Sequence, residues 1–203
     1  MAINPGEFYN SIASHGIELF TGVPDSLLKE FCLCLDDKIS KKKHIITANE
    51  GNAIALASGH YLATQSLPLV YMQNSGLGNA INPLLSLCDP DVYSIPMLLM
   101  IGWRGEPGIK DEPQHVKQGK IQIELMEAMN IPYEIISKDN PNYQMQIERC
   151  VNIANKENRP TALLIRKGTF DKYDEASSMK SIDGMLREDA LEIIINNLAL
   201  DTI

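Results

Sequence analysis

The chain has 203 residues, enough for one generous domain or one domain and the start of another. With 44% hydrophobic and 22% charged residues it has the composition of a globular protein, and its formal charge of −8 speaks against a nucleic-acid surface. An anionic ligand would need a local positive site. No apolar run approaches the ~18–20 residues of a membrane span, and the first residues lack the basic and apolar regions of a signal sequence. Cys32, Cys34, Cys88 and Cys150 form neither a Cys-x-x-Cys pair nor a zinc-type spacing. A cytoplasmic protein with reduced thiols and no membrane partner is expected.

In chain order, Pro5 to His15 reads as a leading helix with proline in its first turn. Ile17–Thr21 reads as a strand, Gly22-Val23-Pro24-Asp25-Ser26 as its exit turn, and Leu27–Leu35 as an amphipathic helix capped by Asp25 or Ser26. The basic run Lys41–Lys43 reads as a solvated loop before the strand His44–Ile46. A helix of small residues then runs from Glu50 to about Ala63. Gly51 and Gly59 each cost such a helix about 1 kcal/mol relative to alanine, so close approach of a backbone, a subunit or a flat ligand is predicted.

The next strand, Leu67–Met72, ends in Gln73-Asn74-Ser75-Gly76-Leu77-Gly78-Asn79 and leads into a helix over Ala80–Leu87. Ile95–Ile101 is a strand followed by a long polar loop from Gly102 to about Gly119, then a helix to about Met129. Strands Pro132–Ile136 and Thr161–Arg166 flank a helix over Gln144–Asn155. This alternation predicts an α/β fold: a parallel sheet of about six strands with helices on both faces. Residues 168–185 read as a linker after a domain of residues 1–167. Leu186–Leu198 then reads as a new helix and Leu200–Ile203 as a strand just beginning, so residues 186–203 lead into a further domain.

In such sheets ligands bind beyond the carboxyl ends of the strands, where the unusual segments gather. Gly76-Leu77-Gly78 matches a dinucleotide fingerprint only in part, because Ile81 stands where the third glycine belongs, which leaves a nicotinamide-binding protein as a remote alternative. Asn74, Ser75 and Asn79 bring polar groups to that turn. Asp25 and Ser26 are either caps or ligand groups, and Glu50 either caps its helix or does chemistry. His115 lies in the long loop with Arg104, Lys110, Lys117 and Lys120 around it, a source of the local positive charge.

Together, Glu50-Gly51-Asn52-Ala53 and Gly22-Val23-Pro24-Asp25-Ser26 resemble the pyrimidine-binding domain of thiamine-diphosphate-dependent decarboxylases. Tyr71–Asn79 and Ile101–Gly108 narrow the resemblance to the phosphonopyruvate and sulfopyruvate decarboxylase branch of that family. The resemblance spans nearly the whole chain. It implies that Glu50 hydrogen-bonds the cofactor's pyrimidine ring nitrogen, and that Asp25 and His115 join it as catalytic groups that relay protons. It further implies that Gly22, Pro24, Asn74, Gly76, Leu77 and Asn79 line the cofactor cleft. Asp25, Ser26 and Arg104 would meet the substrate, with Arg104 placed at its phosphonate on charge grounds.

The family's Gly-Asp-Gly run, with its later asparagine, has no match here: Asp183-Gly184 lacks the first glycine, and Asn196-Asn197 follow too soon. The resemblance therefore implies that magnesium and the diphosphate are held by another domain, in the same longer chain or in a separate subunit, with no metal site on these residues. The expected activity is that of the N-terminal half of a decarboxylase converting 3-phosphonopyruvate, a small 2-oxo acid, to phosphonoacetaldehyde and carbon dioxide, incomplete by itself and homo-oligomeric. The alternatives are the α subunit of a sulfopyruvate decarboxylase and a non-catalytic binding or dimerisation module.

Overall fold

The structure, a computed structural model, describes residues 1–140, 142–174 and 187–197. Among these residues six parallel strands form one sheet: β1 (Phe20–Gly22), β2 (His44–Ile46), β3 (Leu69–Gln73), β4 (Met97–Gly102), β5 (Tyr133–Ile136) and β6 (Pro160–Ile165). Their spatial order is β2-β1-β3-β4-β6-β5. The central strands are apolar at successive positions because both faces are covered. Leu69 and Tyr71 of β3 enter one core, beneath α1 (Pro5–Ala13), α2 (Lys29–Lys38) and α7 (Tyr143–Glu157). Val70 and Met72 enter the other, beneath α3 (Glu50–Thr64), α4 (Leu77–Pro83) and α6 (Gln122–Ala128). The predicted α/β architecture holds.

The chain passes from β1 outward to the edge strand β2, then returns through α3 to β3 on the far side of β1. The strand order reverses there, which opens a crevice at the carboxyl ends of β1 and β3. A side-chain strut braces this edge. Tyr71 Oη lies 2.8 Å from His44 Nε2, and His44 Nδ1 lies 2.9 Å from Asp36 Oδ1. Burial pushes the Tyr71 phenol well above its ordinary range, so it stays protonated beside the imidazole. The ring reaches His44 across β1 because Gly22 is there: a Cβ on Gly22 would stand 2.7 Å from the Tyr71 ring and 2.0 Å from its carbonyl oxygen. The four cysteines are all buried, with no disulfide between them, and burial raises the Cys32 and Cys150 thiols to about 12.

Two expectations change. The predicted loop from Gly102 to about Gly119 contains a helix, α5 (Pro113–Lys120), with proline in its first turn. It lacks the apolar stripe that marks a buried helix because it packs through glycine. A Cβ on Gly119 would lie 1.8 Å from the Gly105 carbonyl oxygen, so the two backbones are in direct contact. Residues 168–174, assigned to a linker, instead pack on the body. Phe170 bridges Ile3, and the Tyr173 N–H and hydroxyl donate to Glu30 and Asp37. α8 (Arg187–Asn197) matches the predicted late helix, whereas the rest of the linker and the nascent strand lie outside the described residues.

Candidate functional site

Glu50 is the first residue of α3, yet it does not cap it. Asn49 does, its Oδ1 accepting the Asn52 N–H at 3.0 Å. The Glu50 side chain is thereby left for something else, and the residue is only 9% exposed. Its Oε2 accepts from Asn79 Nδ2 at 2.8 Å, while Oε1 receives no donor among the described residues. Gly76 makes the space for this carboxylate, since a Cβ there would lie 2.3 Å from Oε1 and 2.5 Å from the carboxyl carbon. Gly51 serves the same assembly: its Cβ would meet the Asn79 carbonyl oxygen at 2.9 Å, so α3 and α4 approach closely as predicted. Gly59 has no such neighbour among the described residues, and nothing in them explains it.

The second cluster lies at the exits of β1, β3 and β4. Asp25, 5% exposed, accepts the Leu27 N–H on Oδ2 at 3.0 Å and Gln73 Nε2 on Oδ1 at 2.6 Å. It is therefore both a cap and a member of a polar network. Gly102 gives it room, because a Cβ there would stand 2.3 Å from Oδ2. The exposed Ser26 hydroxyl accepts from Arg104 Nη1 at 2.8 Å. Beneath this loop is a cavity of about 330 Å³, lined by Pro24, Asp25, Ser26, Lys29, Cys32 and His44 among others. Gln73 was not among the predicted site residues; an amide ending a strand at the point of reversal is the signal that would have found it.

Three predicted residues serve the framework of the site. Asn74 is buried, and its amide exchanges two hydrogen bonds with the Arg104 backbone, at 2.8 and 3.2 Å, tying the β3 exit to the β4 exit. Leu77 is fully buried in the core under α3. Arg104, assigned to the phosphonate for its charge, already has that charge met: Nε and Nη2 both bind Asp111, at 2.8 and 2.5 Å. His115 sits on α5, which lies against the Asn74–Gly76 turn, and its Nδ1 is buried with no hydrogen-bond partner among the described residues.

The Arg104 hydrogen bonds, with the Gly105 and Glu112 N–H groups, hold the Asp111 carboxyl well below the usual carboxylate range. A carboxyl depressed in the folded state stabilises the fold above its unfolded pKa of about 3.9, and that contribution is lost as pH falls through the folded value. Asp111→Asn should therefore be less stable than the parent at pH 7, and the difference should shrink progressively once the pH drops below about 4. Urea unfolding across that range measures it. A gap that stays constant with acid would show that the carboxylate charge is not what holds the loop.

The geometry thus gathers two nearly buried carboxylates, Glu50 and Asp25, at the crevice where the strand order reverses, one in a space left by Gly76 of the turn after β3 and the other in a space left by Gly102 at the end of β4. Residues 8–128 match the family described as thiamine pyrophosphate enzyme, N-terminal TPP binding domain. The chain is 31% identical over 168 residues to a phosphonopyruvate decarboxylase of Streptomyces viridochromogenes, across 82% of this chain and 41% of that protein. It is 32% identical over 157 residues to a sulfopyruvate decarboxylase subunit alpha of Methanococcus maripaludis, across 77% of this chain and 90% of that subunit. The benzoylformate decarboxylase of Polynucleobacter necessarius shares the fold, with a TM-score of 0.64 at 19% identity over 85% of this chain and 31% of that one. The chain spans about two fifths of the length of the phosphonopyruvate decarboxylases it matches.

Proposed function

This chain belongs to the thiamine pyrophosphate enzymes, as their N-terminal TPP binding domain, and from that premise we propose that it is the pyrimidine-binding half of a thiamine-diphosphate-dependent 2-oxo acid decarboxylase. Its substrate is 3-phosphonopyruvate and its products are phosphonoacetaldehyde and carbon dioxide, the reading favoured by the phosphonopyruvate decarboxylases it resembles. The observation that carries the proposal is the Glu50 carboxylate: nearly buried, with Oε2 fixed by Asn79 and Oε1 without a donor among the described residues, beside the Gly76 gap. A carboxyl group so placed fits a ring nitrogen that must exchange a proton.

Bound thiamine diphosphate supplies the electron sink for the pair released as carbon dioxide departs. Around it, Glu50 holds the proton at the pyrimidine nitrogen, and Asn79 keeps Glu50 from turning away. The backbone of Gly22 and Pro24, with Gly76, forms the wall of the cleft, and Leu77 supports it from the core under α3. Asp25 and His115 handle protons near the substrate. The substrate's anionic end meets Ser26 and the cavity below it, where Lys29 offers positive charge in place of the committed Arg104. Magnesium and the diphosphate are held by a second domain, from further chain or a separate subunit. Among the described residues there is no cluster of metal-ligating side chains and no helix long and apolar enough to cross a membrane. The exposed Leu56 and Leu62 of α3 suit self-association.

One observation favours a second reading. The match covers 90% of a sulfopyruvate decarboxylase subunit alpha, a protein that is itself one subunit. Combining the chain with a diphosphate-binding half and assaying phosphonopyruvate against sulfopyruvate decides between them. Turnover of the phosphonate by at least tenfold in kcat/KM supports the first reading, and the reverse preference supports the second. No turnover of either, with no binding of thiamine diphosphate and magnesium, leaves a non-catalytic module.

A further inference from the structure

Asp25 is gripped on both oxygens, and one grip depends on a side chain that itself needs holding. Gln73 Nε2 donates to Asp25 Oδ1 at 2.6 Å, and Ser75 Oγ donates to Gln73 Oε1 at 2.6 Å. An amide has one accepting end and one donating end, so it can face a carboxylate in only one of its two orientations. A hydroxyl donating to Oε1 selects that orientation. A glutamine without such a partner would also sample several rotamers, and Asp25 Oδ1 would lose its donor for much of the time. The backbone alone does not aim this carboxylate: the Leu27 N–H holds Oδ2, which fills the space beside Gly102, and one hydrogen bond on one oxygen does not fix the plane of the carboxyl group.

We propose that Gln73, oriented by Ser75, is a positioning residue that aims the Asp25 carboxylate into the cleft. The inference rests on the decarboxylase reading for its effect on rate, but not for its geometry. Ser75 is exposed and Gln73 only partly buried, so neither side chain is a large part of the core. Their effect should fall on alignment, where a displacement of about 1 Å costs on the order of 100-fold.

Two readouts test this. In the 203-residue chain itself, the Leu27 amide proton reports on the Asp25 carboxylate without cofactor or turnover. Gln73→Leu should shift that amide resonance and speed its hydrogen exchange, Ser75→Ala should do so to a smaller extent, and Ser75→Thr, which keeps the hydroxyl, should restore the parent signal. In the enzyme assembled with its diphosphate-binding half, Gln73→Leu should lower kcat by about 10- to 100-fold. The affinity for thiamine diphosphate should stay within about twofold. Added to Asp25→Asn, it should cost little more, because it acts through Asp25. Losses that simply multiply, or a Leu27 amide that does not move in Gln73→Leu, would overturn the proposal. If the assembled parent turns over neither oxo acid, the decarboxylase reading fails, and the Leu27 amide still decides the positioning role.

Discussion

Glu50→Gln should leave the fold in place and remove most of the turnover. The variant side chain has the same length, and its carbonyl oxygen can still accept from Asn79 Nδ2, so the contact between α3 and α4 survives. The other end becomes an amide. It can donate a hydrogen bond to a ring nitrogen but cannot give up a proton to it, so binding persists while proton exchange stops. Proton transfer by a positioned side chain contributes roughly 10²- to 10⁴-fold, and kcat should fall by that much with the melting temperature nearly unchanged. Steady-state turnover of the assembled enzyme and a thermal melt of the chain measure the two halves of the expectation. Unchanged turnover would remove Glu50 from the mechanism.

Gly76→Ala should be almost as damaging, for a steric reason. The added Cβ would stand 2.3 Å from Glu50 Oε1, 2.5 Å from Cδ and 2.6 Å from Cγ, all far inside van der Waals contact. Those atoms are the mobile end of a side chain, so Glu50 yields while the backbone keeps its course. A methyl group on one turn thereby dislodges the carboxylate of another helix. A loss of roughly 10²-fold in kcat is expected, with far-ultraviolet circular dichroism unaltered. Because both substitutions act on the same carboxylate, Gly76→Ala combined with Glu50→Gln should be no worse than the more damaging of the two. Multiplying effects would mean that Gly76 acts on something else.

Much of the framework was readable from the chain itself, because a parallel sheet covered on both faces imposes a visible rhythm. Runs such as Leu69–Met72 and Met97–Ile101 are apolar at every position, and helices separate them. The small residues before β3 foretold the close contact of α3 and α4. What was not readable depends on neighbours distant in sequence. Gln73 meets Asp25 across 48 positions, and Asn79 meets Glu50 across 29, pairings that only the strand order creates. The charge of Arg104 was plain, but its neutralisation by Asp111 depends on how a loop folds back over seven residues. α5 escaped because glycines let it pack backbone to backbone, and no periodicity records that.

The gaps at Gly76 and Gly102 also bear on how this site can be remodelled. Each is the complement of a particular carboxylate in another turn, so the tolerance of either position depends on the residue facing it. A scan that varies one site at a time will find both glycines immutable. Libraries that vary Glu50 with Gly76, or Asp25 with Gly102, should reach sequences such a scan rejects, because only a side chain whose atoms leave that space makes room for a methyl group on its partner. The adaptive unit of this cleft is the pair, and its two members are best varied together.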